Sequence, residues 1–523
     1  QAIAAALVAR GIGPGRNVAA LSGNGIDHAL LSLACQYVGA PFTPMAEQYS
    51  LIPGAHGRLR HVLDMMEPAL VYVADAVQYS DALAIAAAPG REVVATRPAA
   101  GATPFADLLR GGDGAAAEAA HGLVGPDTLA KVLFTSGSSS APKGVRTTQG
   151  MMCVNQTQLA DCLPFLRTHP PRVLDWLPWN HVFGGSHNFN MMLANGGGFY
   201  IDDGKPTPTG FKRSLENLSM RPGTLSFNVP VAFAMLVDEL RRNQDLKQRY
   251  FAELDLIFYA GATLPQEVWE GLEDFAMEIC GAAPLMCSSW GMTETAPAVL
   301  LVHEPIDRAA VIGAPVPGVQ IKLIPDDAMR CEIRVKGPNV MPGYFKNEAK
   351  TAESFDDEGF LITGDAVRFV DEGNPSAGLT FDGRISEDFK LLTGTWVHAG
   401  KLRGATHAGL APLAQDLVIC GANRGEVGVL IFAVDPMGAT SDGGALVGAA
   451  LADAVRARLA AMAAHATGSS TRIARALVLA EAPSVEGQEI TAKGNLNPAR
   501  VQTRRADLVA RLYDDSDPAT VRI

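Results

Sequence analysis

The sequence has little patterned cysteine, no excess of positive charge and no long apolar run. Its seven cysteines are scattered from Cys35 to Cys420 without a CxxC pair. That excludes a disulfide framework or a zinc ribbon and reads as reduced thiols in a cytoplasmic protein. Lys and Arg number 43 against 55 Asp and Glu, a net charge of −12, so no electrostatic grip on nucleic acid or anionic lipid is expected. The longest apolar runs, such as "VGVLIFAV" at 427–434, are strand-sized, far below the ~20 residues of a membrane span. A basic-then-apolar leader is also missing. The chain opens at Gln1 inside a helix-like run, "QAIAAALVARGIGPG", so its native start is expected upstream and its first domain to be N-terminally incomplete.

What is present is an ordinary globular composition, 48% hydrophobic and 19% charged over 523 residues. That length predicts two to four compact units. Up to about Gly383, short β-branched or aromatic runs ("KVLFTS", "RVLDWLP", "TLSFNVP", "LDLIFYAG") alternate with amphipathic stretches. In "PQEVWEGLEDFAMEICG", Val268, Leu272, Phe275 and Ile279 share one helical face, with Pro265 suited to the first turn and Gly281 to the C-terminal cap. Such alternation predicts an α/β fold of helix-covered, mostly parallel sheets. Between about 311 and 381 the texture changes to short strands with glycine turns ("GVQIKLI", "CEIRVKG", "GFLITGDAVRFV", "GLTFDGR"), which fits a small barrel or antiparallel sheet. After "DGRISEDFK" strands and helices restart, and a boundary is placed at Arg384 to Ser386. The expected domains are 1–385 and a smaller α+β unit, 386–523. The alanine-rich segments at 83–88 and 115–120 read as helices or loops, not repeats.

Three stretches carry chemistry. In "LFTSGSSSAPKGVRTTQGMM" at 133–152, small residues would let backbone N–H groups approach an anion while Lys143 adds charge. If "TTQGMMCVNQTQLADCL" is the helix that follows, the loop would face the positive end of its dipole. This is not the G-x-x-x-x-G-K-[ST] loop, because Gly144 follows Lys143, and a flexible surface loop would look similar. In "LMCSSWGMTETAP", Trp290 could stack on a purine, Thr293 could donate to a phosphate and Glu294 could hold Mg²⁺. A strand end with an N-cap Thr and a surface Glu fits equally well. In "GFLITGDAVRFV" and "FDGRISEDFK", Asp365 could accept from ribose hydroxyls and Arg384 could donate to the same sugar, or the two could be a hairpin turn and a surface arginine.

Order decides more than any one stretch. "TSGSSSAPKG", "YAGATLP", "SSWGMTET", "ITGDAV" and "DGRISEDFK", in this sequence, resemble the adenylate-forming superfamily of acyl-CoA synthetases, luciferases and peptide-synthetase adenylation domains. The resemblance runs from about Gly11 to the C-terminus. "LPWNHVFGGSHNFN", "GRISEDFKLLTGTWV" and "EITAKGNLN" look most like the feruloyl-CoA synthase branch, which activates hydroxycinnamic acids. The resemblance implies a carboxylate attacking the α-phosphate of ATP, then CoA thiolate displacing AMP, with ATP and Mg²⁺ as cofactors and CoA as co-substrate. Partners would be a small aromatic acid, ATP and CoA, without nucleic acid or membrane, and a homodimer is admissible.

By the same resemblance, Thr135, Ser136, Gly137, Ser138 and Lys143 line the triphosphate. Gly261, Ala262 and Trp290 hold adenine, Thr293 the α-phosphate, Glu294 the metal, and Asp365 and Arg384 the ribose. His181 falls beside the acyl carboxylate, though it could equally be a half-buried structural ring. Phe183, His187, Asn228, Gly261 and Pro297 are assigned to the acyl pocket. Two departures stand out. The hinge position, usually Lys or Asp, is Ser386, followed by Glu387 and Asp388. The C-terminal T-x-x-G-K pattern is "TAKGN", with Asn495 where the lysine is usual and Lys493 two residues earlier. Lys493 is taken as the catalytic lysine, against the plain alternative of a surface lysine. The rival readings are a synthetase for fatty or benzoic acids, a peptide-synthetase adenylation domain, a luciferase-like oxygenase, and a nucleotide-binding homologue with impaired catalysis.

Overall fold

A computed structural model describes residues 1–135, 141–207, 209–261, 264–326, 329–484, 486–490 and 496–523. A seven-stranded sheet is ordered Thr103–Pro104, Glu92–Arg97, Leu70–Asp75, Val18–Ala20, Phe42–Pro44, Leu129–Thr135 and Lys143–Thr148. All neighbours are parallel except the last pair. Successive residues of its inner strands enter different cores. Val18, Ala20, Leu70 and Tyr72 pack on one face and Ala19, Leu21, Val71 and Val73 on the other. Both faces are therefore covered, as the continuous apolar reading of parallel strands requires.

The second sheet has eleven strands. Its parallel part joins Leu285–Gly291, Leu256–Tyr259, Leu225–Asn228, Arg172–Asp175 and Gly198–Ile201. Beyond Leu285–Gly291 it continues antiparallel through Ala298–Leu301, Val311–Pro315, Leu379–Arg384, Leu361–Phe369, Cys331–Lys336 and Gln320–Pro325. The glycine-punctuated strands expected between 311 and 381 are thus an antiparallel extension of the helix-covered sheet. Helix Gln266–Cys280 buries Val268 and Leu272 and ends at Gly281 with φ 69°, a left-handed cap that glycine adopts without a Cβ penalty. The alanine-rich segments lie in helices Ser80–Ala86 and Gly114–His121.

One local expectation fails. The strand Leu129–Thr135 is not followed by a helix but by the antiparallel strand Lys143–Thr148. The strands on either side of the Gly/Ser stretch therefore pair as the two arms of a hairpin. The helix Gln149–Cys162 starts afterwards, where Thr148 Oγ1 accepts the Met151 N–H at 3.2 Å. "VRTT" is short and β-branched, and it pairs with Leu133, Val132, Lys131 and Leu129 of the preceding strand, so cross-strand pairing takes it from the helix.

Past Arg384, a short turn Ile385–Glu387 leads to a two-stranded ribbon, Phe389–Lys390 with Trp396–Val397. A separate sheet then joins Ala414–Cys420, Val427–Ala433, Ile473–Leu479, Ala445–Val447, Thr440–Asp442 and Thr520–Arg522. Ala445–Val447 is a strand, and a helix follows from Ala449 to Ala463. Among the described residues, no helix is long and apolar enough to cross a membrane.

Candidate active site

The hairpin brings Thr135 opposite Lys143. Its far end is fixed by His61, whose Nε2 donates to the Pro142 carbonyl at 2.9 Å. Ser136, Gly137 and Ser138 lie outside the described residues. The Lys143 ammonium stands 5.4 Å from the Tyr344 ring centre, and the Tyr344 hydroxyl donates to Glu294 Oε1 at 2.9 Å. Tyr344 reaches this place because Val145 and Tyr344 form an antiparallel bridge, with the Phe345 N–H on the Gly144 carbonyl at 2.7 Å. Burial, and then the Glu294 charge, push the Tyr344 phenol well above its usual value, so it stays a donor. Glu294 sits beside Thr293 in the turn Thr293–Thr295, both side chains buried, and its carbonyl accepts the Met341 N–H at 2.8 Å. A single buried carboxylate steadied by a phenol suits Mg²⁺, which takes one or two carboxylates and completes its shell with phosphate oxygens and water. Among the described residues, no group of three acidic, His or Cys side chains could hold a metal alone.

A second cluster is tied to the first by the backbone from Trp290 to Glu294. The Trp290 indole N–H donates to Asp365 Oδ2 at 3.0 Å, and Arg384 Nε lies 3.5 Å from Asp365 Oδ1. Asp365 and Arg384 are paired across neighbouring strands. Burial raises the Asp365 pKa, against the opposing pull of Arg384 and of the Trp290 hydrogen bond. The indole offered by the sequence as an open stacking face is instead 7% exposed and built into a core with Val145 and Met151. It supports Asp365. Gly291 is required beside it, since a β-carbon there would lie 1.8 Å from the Pro297 carbonyl oxygen. Gly261 is exposed, with φ 89°, just past Leu256–Tyr259, and Ala262 lies outside the described residues.

The acyl-side residues gather around an irregular turn. Phe183–Asn188 is π-helical, a geometry that frees carbonyls and recurs at functional sites. Two buried side chains meet those carbonyls. Lys131 Nζ donates to Gly185 O at 2.8 Å, and Gln156 Nε2 donates to Ser186 O at 3.0 Å. The turn lies on the backbone beneath it, since β-carbons at Gly184 and Gly185 would fall 2.5 Å from Leu177 O and 2.2 Å from Trp179 O. His181 precedes the turn. Its Nδ1 accepts the Phe183 N–H at 3.3 Å, which puts the proton of the neutral ring on Nε2. Phe183 and His187 are buried inside the turn. Asn228 ends the strand Leu225–Asn228, and its Oδ1 accepts the Trp176 indole N–H at 2.9 Å. Pro297 is half-buried after the Thr293–Thr295 turn. A cavity of about 40 Å³ beside Asn228 is lined by Trp176, Ser214, Ser226 and Tyr250, room for a water-sized group.

Residues 1–345 match the model of the AMP-binding enzyme family, and 388–517 match the model of the AMP-binding enzyme C-terminal domain. The chain belongs to the AMP-binding enzymes. Among curated relatives, the long-chain-fatty-acid–CoA ligase of Escherichia coli O6:H1 is 27% identical over 321 residues, 60% of this chain and 54% of that protein. The carboxylic acid reductase of Mycobacterium marinum is 26% identical over 454 residues, 78% of this chain and 37% of that protein. The chain spans about half or less of the length of the first curated relatives it matches. Among solved structures, ATP-bound MatB from Rhodopseudomonas palustris superposes with a TM-score of 0.74 at 23% identity, covering 97% of this chain and 92% of that one. The anthranilate CoA ligase AuaEII, in complex with anthranoyl-AMP, superposes with a TM-score of 0.74 at 17% identity, covering 97% and 91%. At these identities the likeness concerns the fold.

In this AMP-binding enzyme, Ser386 lies exposed in the turn Ile385–Glu387. Arg330 spans that turn. Its guanidinium donates to the Asp382 carbonyl at 3.1 and 3.2 Å and pairs with Asp388 Oδ2 at 2.8 Å. Lys493 lies outside the described residues. Its flanks are held together, with Ile490 bridged to Leu496 and Asn497 N–H on Glu489 O at 2.7 Å. The buried Glu489 carboxylate receives two bonds from Arg505 at 2.7 and 2.8 Å. Sequence reading missed Tyr344, Arg330, Lys131 and Gln156. The one signal available was Lys131, a lone charge inside the apolar run "LAKVLF".

Proposed function

We propose that this AMP-binding enzyme activates a carboxylic acid with ATP, forms an acyl adenylate and transfers the acyl group to CoA, releasing AMP and pyrophosphate. The observation that carries the reading is the continuous cluster Lys143–Tyr344–Glu294 joined to Trp290–Asp365–Arg384. It links a cation, a metal-suited carboxylate and a sugar-suited carboxylate in one connected set of side chains. Mg²⁺, held by Glu294, would supply charge neutralisation at the phosphates. The chain's own part is to fix donors where negative charge gathers, which in a dry site contributes most to such a step. Thr135, Ser136, Gly137, Ser138 and Lys143 take the triphosphate, with Thr293 on the α-phosphate. Gly261 and Ala262 take the adenine, and Asp365 with Arg384 takes the ribose.

The acid proposed is a hydroxycinnamate of the ferulate kind, with His181 beside its carboxylate and Phe183, His187, Asn228 and Pro297 around its ring. The motifs "PWNHVFGG" and "GRISEDFKLLTGTWV" support this choice. The aromatic walls of Phe183, Phe227 and Phe258, with ring centres 5.1–6.3 Å apart, support it too. We read residues 1–385 and 386–523 as the two domains, Ser386 as their hinge, Lys493 as the lysine of the adenylation step, and the cytoplasm as the location. An AMP-release screen of ferulate, coumarate, caffeate, benzoate and octanoate, with and without CoA, tests the reading. Hydroxycinnamates should exceed octanoate at least about tenfold in kcat/KM, about 1.4 kcal/mol of transition-state binding. Equal or better use of octanoate moves the enzyme to fatty acids, and no AMP release with any acid removes the catalytic reading. Lys493→Ala should slow adenylation roughly 10²-fold and spare thioester formation from pre-made adenylate. Equal loss of both half-reactions would exclude that role.

A further inference from the structure

The ring of His187 is 1% exposed and lies among Phe183, Phe227 and Phe258, with centroid distances of 5.7, 5.5 and 4.8 Å. Phe227 and Phe258 are opposed, next-to-last residues of two adjacent parallel strands. The imidazole therefore sits just under the carboxyl edge of the sheet, where ligands of open α/β folds bind.

Its hydrogen bonding can be followed from a fixed point. Asp175 is fully buried, with Oδ1 accepting the Leu177 N–H at 2.8 Å and Oδ2 accepting from Asn188 Nδ2 at 2.7 Å. A carboxylate can only accept, so it turns the amide nitrogen of Asn188 toward itself and the amide oxygen away. That oxygen meets His187 Nδ1 at 2.9 Å. An amide oxygen can only accept as well, so Nδ1 must carry the proton. The neutral ring then presents a bare lone pair at Nε2, and this buried atom has no hydrogen-bond partner. None of the three surrounding phenyl rings can supply a donor, and a buried acceptor left unmet is costly. Burial also lowers the His187 pKa to about 4, so near neutral pH the ring remains an acceptor at this atom.

We propose that His187 Nε2 is the acceptor that selects an acid bearing a hydroxyl donor on the far side of its ring, with Asn188 and Asp175 as positioning residues that fix its tautomer. The inference rests on the aromatic-acid reading above and adds what that reading leaves open, the partner of the ring hydroxyl. A phenol fits because it donates. A methyl ether of similar size, or an unsubstituted ring, leaves Nε2 unmet, and sites built around such a bond reject analogues that lack the donor.

The test compares kcat/KM for 4-hydroxycinnamate, 4-methoxycinnamate and cinnamate with the full chain at pH 8, above the value of about 7 to which burial raises Asp175. The hydroxy acid should exceed both others by roughly 30-fold or more. In His187→Phe the three should fall within about threefold of one another, while His187→Gln, which keeps an acceptor, should retain part of the preference. The ATP KM of each variant reports whether the nucleotide site is intact. Wild-type use of all three acids within threefold overturns the proposal and leaves the aromatic reading standing. Use of octanoate with none of the three overturns both. A folded His187→Phe that keeps the full preference also overturns it, and if that variant does not fold, the wild-type comparison of phenol with ether decides alone.

Discussion

Glu294 shows what a single residue contributes here. It is 6% exposed and accepts a hydrogen bond from a phenol that burial keeps protonated, an arrangement that suits the proposed hold on a cation. Glu294→Gln should abolish ATP-dependent AMP release while the far-UV circular dichroism stays normal, and near-normal release from the folded variant would exclude the metal role. Tyr344→Phe removes one hydrogen bond to a charged group, about 1.5–3 kcal/mol. It should lower kcat/KM for ATP by roughly 10- to 100-fold, read by pyrophosphate release, and an unchanged value would make Tyr344 a packing residue only. These two residues also mark what the sequence could tell. Lys143, Glu294, Asp365 and Arg384 could be proposed from the sequence because each lies in a short motif, and the structure brings Lys143 and Glu294 to Tyr344 and pairs Asp365 with Arg384. Tyr344 could not be, since its partner stands 50 positions away and backbone contacts between distant stretches, Tyr344 with Val145 and Met341 with Glu294, bring them together.

At the scale of elements, the two least regular pieces position the site, and both were hard to read. The hairpin was taken for a strand–helix junction because a β-branched "VRTT" ahead of a helix has no period of its own, and its pairing partner alone makes it a strand. The π-helical turn has no sequence pattern at all. Its existence depends on Lys131 and Gln156, which arrive from a strand and a helix to meet its freed carbonyls. By contrast, the parallel strands and helix Gln266–Cys280 were legible, because burial on both faces or on one stripe leaves a periodic trace. Lys131 makes this reading testable. Burial lowers its pKa from 10.5 to about 8, so the ammonium is penalised in the folded chain below pH 8. That penalty is relieved as pH rises from 8 toward 10.5, where the unfolded chain also sheds the proton. Lys131→Met removes the penalty together with the bond to Gly185. The stability of the wild type relative to Lys131→Met should therefore increase between pH 7.5 and pH 9.5, followed as the difference in Tm. A difference that stays flat or declines would show that Lys131 titrates outside this window. The KM for the acid should also rise about fivefold or more in this variant with the ATP KM unchanged, because the turn it holds carries Phe183 and His187 but not the hairpin.

At the scale of the whole molecule, the C-terminal stretch meets the rest of the chain at charged contacts around Ser386 and at Gly54. Glu486, shortly before the segment that carries Lys493, lies against Gly54, with its Cβ 3.1 Å from where a glycine β-carbon would be. Gly54 belongs to the turn Pro53–Ala55, which leads into helix His56–Met66, and His61 of that helix holds Pro142 at the end of the phosphate-side hairpin. Glu486 therefore lies on the side where phosphates are proposed to bind, an arrangement that would suit the proposed adenylation step. Arg330 fixes that disposition. It is anchored to Asp382 before the turn Ile385–Glu387 and to Asp388 after it, and Asp388 Oδ2 also receives His398 Nδ1 at 3.2 Å. Replacing Arg330 would strip a buried guanidinium from Asp388 and from the Asp382 carbonyl, leaving Asp382 with Arg368 and Asp388 with His398, a change expensive enough to threaten the fold. Asp388→Asn is gentler, because it weakens the contacts of Asp388 with Arg330 and His398 and leaves Arg330 on the Asp382 carbonyl. If the two half-reactions need different dispositions of the small domain, loosening this one must slow the first and not the second. Asp388→Asn should lower the rate of acyl-adenylate formation about fivefold to tenfold in a single-turnover assay. Thioester formation from pre-made adenylate and CoA should stay within twofold of wild type, or exceed it. Slower thioester formation with normal adenylation would mean that the clasp holds the CoA-competent arrangement instead, and equal loss of both would reduce it to a structural ion pair.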